Sequence, residues 1–74
     1  MLRIGRSADC QLILDDDYVS TRHAALHRTD TGYVVEDLGS TNGTYLNNER
    51  VTGRTPITPS DTLRIGRTLM SVEK

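Results

Sequence analysis

The sequence is short of several things that whole classes of protein require. It has one cysteine, Cys10, which cannot close an intramolecular disulfide, and Cys10 with His23 and His27 falls short of a four-ligand structural zinc set. Apolar runs stop at about four residues against the roughly 18 of a membrane span, and no basic segment leads into an apolar stretch at the start. Neither sign of charge is in excess. Nine Lys and Arg face ten Asp and Glu for a formal net charge of -1, so the strongly basic footprint of a nucleic-acid binder is missing. At 74 residues there is room for one small domain and none for a two-domain enzyme. A cytoplasmic module is expected, free of nucleic acid, membrane, metal and cofactor.

Lysine is almost absent as well: eight of the nine basic residues are Arg, and the exception is Lys74. The planar guanidinium fork fits carboxylate and phosphate oxygens two at a time, so the bias suits oxyanion recognition, although a GC-rich coding sequence produces the same bias.

What is present reads as strand and turn. Leu2-Arg3-Ile4, Tyr33 to Leu38, Leu63-Arg64-Ile65 and Leu69 to Val72 are short, mostly alternating runs bounded by Gly, Pro, Asn, Asp or Ser. Gly32, Gly39, Gly43, Gly53, Pro56, Pro59 and Gly66 leave the second half no window for a helix of three turns. His23 to Arg28 has fair helix propensity, but the hairpin-like Thr29-Asp30-Thr31-Gly32 that leads into Tyr33 favours a strand. The expected fold is all-β, a sandwich of two twisted antiparallel sheets. Its expected core is Ile4, Leu12, Leu14, Ala24, Leu26, Val34, Val35, Leu38, Val51, Ile57, Leu63, Ile65 and Val72.

Catalysis finds little support. Ser20 and His23 lie three apart with Asp15, Asp16 and Asp17 nearby, but a hydrolase needs an oxyanion hole and a sheltered cleft, and no Gly-x-Ser-x-Gly elbow is present. The Asp15-Asp16-Asp17 run lacks the spaced ligands, central Gly and closing Glu of a calcium loop, and reads as a solvated acidic turn. The pentapeptide Leu2-Arg3-Ile4-Gly5-Arg6 recurs as Leu63-Arg64-Ile65-Gly66-Arg67, and pattern alone does not say which Arg binds anything.

Three stretches put hydrogen-bond donors on loops: Gly5-Arg6 after a strand, Ser20-Thr21-Arg22-His23 before the next, and Gly39-Ser40-Thr41-Asn42-Gly43-Thr44 in a turn. Gly5 permits close backbone approach or positive φ, Arg6 supplies the fork, and Ser20, Thr21, Ser40 and Thr41 offer hydroxyls and N–H groups. Asn42-Gly43 suits a tight turn. Their sum is a concave oxyanion site between loops at one end of a sandwich.

In this order and spacing, Gly5-Arg6, Ser20-x-x-His23, Leu38-Gly39-Ser40-Thr41-Asn42-Gly43-Thr44-Tyr45-Leu46-Asn47 and Asp61 to Gly66 resemble a forkhead-associated (FHA) domain, a phosphothreonine-peptide-binding module of the FHA/SMAD-like fold. The resemblance spans nearly the whole chain, residues 1–74. It implies that Arg6 and Ser20 hold the phosphate with Thr41 and Thr21, that Asn42 holds the peptide main chain, and that Arg22 contacts side chains beyond the phosphothreonine. Gly5, His23 and Gly43 would be architectural, with His23 bracing the loops, and Arg67 an ordinary surface residue. Many relatives carry Arg, Lys or Asn where Thr21 stands, so the phosphate meets one charge or amide fewer.

The implied partner is a protein segment phosphorylated on Thr by a Ser/Thr kinase. The competing readings are a phosphate-independent interaction module on the same fold and, more remotely, a small Ser/His hydrolase. Family members usually have a strand upstream of Gly5-Arg6, and only four residues precede Gly5 here. The domain is therefore expected to lack that strand, as a truncated domain or a piece of a longer protein, and to self-associate weakly through the exposed sheet edge.

Overall fold

Period-two runs of Val, Ile and Leu need two half-buried sheets facing each other. The computed structural model describes residues 1–72 and places nine strands and no helix in them: β1 (Leu2–Gly5), β2 (Leu12–Ile13), β3 (Ala24–Thr29), β4 (Gly32–Asp37), β5 (Thr44–Leu46), β6 (Glu49–Arg50), β7 (Thr55–Ile57), β8 (Leu63–Ile65) and β9 (Thr68–Met70). One sheet has the order β2-β1-β3-β4-β7 and the other β6-β5-β8-β9. Pairing is antiparallel throughout except that β2 runs parallel to β1, with Ile4 opposite Leu12 and Gly5 opposite Ile13.

The anticipated strands are present with small shifts. Leu63 to Ile65 is unchanged, while the run expected over Leu69 to Val72 is Thr68–Met70. A two-residue turn decides this: Gly66 has a φ of 63°, and pairing resumes at once with Thr68 opposite Ile65. The short β2, β5, β6 and β7 were not anticipated. Asn47 and Asn48, with φ of 51° and 71°, turn β5 into β6 as a type I′ hairpin does.

The core lies where the two inner faces meet. Ile4, Ala24, Val35, Val51, Ile57, Leu63 and Ile65 are buried as expected, with Leu12, Leu14, Leu26 and Val72 packed at its margin. Two expected core residues are corrected. Leu38 lies beyond the end of β4 and is 38% exposed. Val34 is half-buried on the outer face, since successive strand residues point to opposite sides and Val35 holds the inner position. Val19, Cys10 and Ala25 join the buried set instead.

Candidate functional site

The end of β1 builds the site. Past Gly5 the strand continues as a ladder with the loop before β3: His23 N–H donates to Ile4 O at 2.9 Å, Arg6 N–H to Ser20 O and Ser7 N–H to Thr21 O, both at 3.1 Å. Two loops far apart in sequence are thereby zipped side by side. Gly5 is required for close approach, not for positive φ, because a Cβ there would sit 2.3 Å from Thr21 O.

His23 fixes the geometry from beneath. It is fully buried, its Nδ1 accepts the Ser20 N–H at 3.0 Å, and its Nε2 lies 2.8 Å from Gly43 O. Because Nδ1 accepts, the ring proton belongs on Nε2, which donates to the Gly43 carbonyl. Both nitrogens are engaged with backbone, so His23 has no lone pair to take the Ser20 hydroxyl proton. Ser20 Oγ instead accepts the Thr41 N–H at 3.0 Å, which brings the third loop alongside.

Arg6, Ser7, Val19, Ser20, Thr21 and Thr41 together line an open recess of about 480 Å3. Four residues singled out from sequence thus meet in one place, drawn from three separate loops. Arg22 and Asn42 stand outside that lining. Arg22 pairs with Asp9 at 3.2 Å, and Asn42 Nδ2 donates to Tyr18 O at 2.9 Å, holding the Ser20 loop to the Thr41 loop. Gly43, with φ of 86°, turns the chain so that its carbonyl meets His23.

Several residues were missed or misread from sequence, Ser7 and Val19 of the recess lining among them. Asp37 is a hub: burial opposes its charge, but the hydroxyls of Ser40 and Thr44 and the N–H groups of Ser40 and Gly39 outweigh that and lower its pKa. Ser40 is accordingly buried and spent on Asp37, and is not a free donor. Asp16 is no solvated turn residue. It accepts the Tyr18 N–H at 2.9 Å, the Arg67 N–H at 2.8 Å and the Thr68 hydroxyl at 3.0 Å, donors that lower its pKa. Arg67, exposed as expected of a surface residue, lies over the Tyr18 ring, 4.5 Å from its centroid. The sequence signal for Asp37 was its place two before Gly39 and three before Ser40, an Asx-turn spacing.

A second, larger cavity of about 690 Å3 is an apolar seam lined by Leu2, Leu12, Leu14, Leu26, Met70 and Val72 among others. It shares no lining residue with the recess, and Arg28, Tyr33 and Ser71 are its polar members.

The FHA domain family profile matches residues 2–66. Among curated proteins, the FHA domain-containing protein FhaB of Mycolicibacterium smegmatis is 48% identical over 69 residues, covering 93% of this chain and 44% of that protein. The chain thus spans less than half the length of the first curated relatives it matches. Among solved structures, Mycobacterium tuberculosis EmbR in complex with a low-affinity phosphopeptide superposes with a TM-score of 0.87 at 36% identity, covering 93% of this chain and 18% of that one. A structure from a study of phosphothreonine-dependent FHA domain interactions gives a TM-score of 0.87 at 34% identity, covering 95% of this chain and 72% of that one.

Proposed function

Because the chain belongs to the FHA domain family, we propose that it is a phosphorylation-dependent protein-interaction module that binds a phosphothreonine segment made by a Ser/Thr kinase. One observation carries this reading: Arg6, Ser20, Thr21 and Thr41 converge on a single open recess, although three separate loops supply them. In our reading the Arg6 fork takes two phosphate oxygens, and the hydroxyls of Ser20, Thr21 and Thr41 take the rest. The hydroxyl proton of Ser20 is available for this because its oxygen is the acceptor in the bond to Thr41. Val19, 3% exposed, is the apolar element of the lining and suits the β-methyl of threonine. Asn42 keeps its amide oxygen for the peptide main chain while its nitrogen braces Tyr18. Arg22, on the surface beside Asp9, serves side chains farther along.

Such a module is a binder and not an enzyme, since His23 is committed to Ser20 N–H and Gly43 O. We place its action in the cytoplasm, where ATP-dependent kinases make phosphothreonine. We treat residues 1–74 as one domain and propose weak self-association. In its support, the edge strands β2 and β9 each have a single neighbour, and the apolar seam beside Met70 and Val72 is open. Titration with one peptide in phosphorylated and unphosphorylated form, followed by amide shifts of Arg6, Ser20, Thr41 and Asn42, tests the function. Equal binding of both forms would replace it with the phosphate-independent reading.

A further inference from the structure

Ser7 lines the phosphate recess beside Arg6, and its main chain has no donor left for a ligand. Its N–H donates to Thr21 O at 3.1 Å, while its carbonyl accepts the Cys10 N–H at 3.0 Å. Only the hydroxyl remains. Ser7 Oγ accepts the Asp9 N–H at 3.2 Å, which occupies one lone pair, and the hydroxyl proton has no acceptor among the described residues. Ser7 is half-buried, so this proton is within reach of a molecule in the recess.

Ser20 is built the same way. Its N–H is engaged by His23 Nδ1, its carbonyl accepts the Arg6 N–H and its Oγ accepts the Thr41 N–H, so it too keeps only a hydroxyl proton for the recess. The two serines stand on neighbouring rungs of one ladder, where Arg6 bonds to Ser20 and Ser7 to Thr21. The turn that carries Ser7 is fixed as well. Cys10 Sγ donates to the same Thr21 carbonyl at 3.5 Å, and Asp9 pairs with Arg22 at 3.2 Å, so residues 7–10 are tied to the Ser20 loop along their length. A hydroxyl held in this way needs little further ordering when a ligand arrives.

Resting on the phosphothreonine reading above, we propose that Ser7 is a further phosphate-binding residue, its hydroxyl donating to a terminal phosphate oxygen beside the Arg6 fork. A hydrogen bond to a charged acceptor is worth about tenfold or more in affinity. A Ser7 that only closes the turn over residues 7–10 requires an acceptor at this position and no donor. That difference separates the two roles. Alanine supplies neither. Aspartate accepts the Asp9 N–H in the manner of an Asx turn, but at pH 7 it has no proton to give and sets a carboxylate against the phosphate.

The experiment titrates one phosphothreonine peptide calorimetrically into the wild type, Ser7→Ala and Ser7→Asp, with thermal melts of all three. Ser7→Ala should bind about tenfold more weakly than the wild type. Ser7→Asp should melt close to the wild type and bind at least about a hundredfold more weakly. Ser7→Ala binding within about threefold of the wild type, or Ser7→Asp restoring wild-type affinity, overturns the proposal. A crystal structure of the wild type with the same peptide puts the question without a substitution. Ser7 Oγ should lie about 3 Å from a phosphate oxygen, and a hydroxyl turned away from the phosphate overturns the proposal. Equal binding of the phosphorylated and unphosphorylated peptides by the wild type is a different result, and it overturns the phosphothreonine reading beneath it.

Discussion

Arg6 and Arg67 close the two copies of one pentapeptide, and the fold gives them unrelated surroundings. Arg6 lines the recess, whereas Arg67 lies over Tyr18 and meets Asp16 through its backbone N–H. Arg6→Ala removes a charge-assisted contact and should cost roughly 1.5 to 3 kcal/mol of phosphopeptide binding, or about 10- to 150-fold. Arg67→Ala keeps the backbone donor and should change affinity by less than about threefold. Calorimetry on both variants checks the assignment, and a larger loss at Arg67 would move the site. His23→Ala should act through the scaffold, leaving the Ser20 N–H and Gly43 O unpaired at about 1 to 3 kcal/mol each, read as a lower melting temperature with binding lost in parallel. At this scale sequence was most informative about polar loop residues whose spacing is distinctive. It was poor at Asp16 and Val19, whose partners lie far along the chain or whose burial depends on how loops stack.

Elements are where local pattern and tertiary geometry part. The run Leu63 to Ile65 was legible because alternation and a following Gly coincide. By contrast, β2 and β6 have two residues each, too few to show a period, and they exist because β1 and β5 offer them an edge. The turn between β8 and β9 carries its own test. An alanine at Gly66 would adopt an unfavourable φ of 63° and place its Cβ 2.7 Å from Val19 Cγ2 and 2.9 Å from Asp16 Oδ2. Gly66→Ala should therefore push on the loop that holds Ser20 and weaken phosphopeptide binding several-fold, with stability down by about 1 to 3 kcal/mol. Amide shifts that stay confined to Gly66 and its neighbours would contradict this coupling.

For the whole molecule, binding and folding should separate on the pH axis. Asp16 is held below the usual carboxylate range first by the Tyr18 N–H, Asp61 by the Thr58 N–H and the Asn47 amide, and Asp37 by four donors that outweigh its burial. A carboxylate whose folded pKa is depressed contributes stability above its unfolded value and loses it as pH falls through the folded one. The fold should thus persist until below about pH 4, while peptide affinity drops as the phosphate takes up its second proton near pH 6. Thermal melts and titrations at matched pH check this, and coincident loss of both would contradict it. Sedimentation should show concentration-dependent self-association through the open edges, whereas a sharply monomeric profile with strong amide protection at 69–72 would count against it.

The most direct measurement is calorimetry on one peptide made with phosphothreonine, phosphoserine, phosphotyrosine and unmodified threonine. Phosphothreonine should bind most tightly and phosphoserine several-fold more weakly, since burying one methyl against Val19 is worth on the order of 0.8 kcal/mol. Phosphotyrosine, whose ring carries its phosphate about 4 Å or more farther from the backbone, and unmodified threonine should not bind measurably. Unmodified threonine binding as tightly as phosphothreonine would contradict the account at its centre.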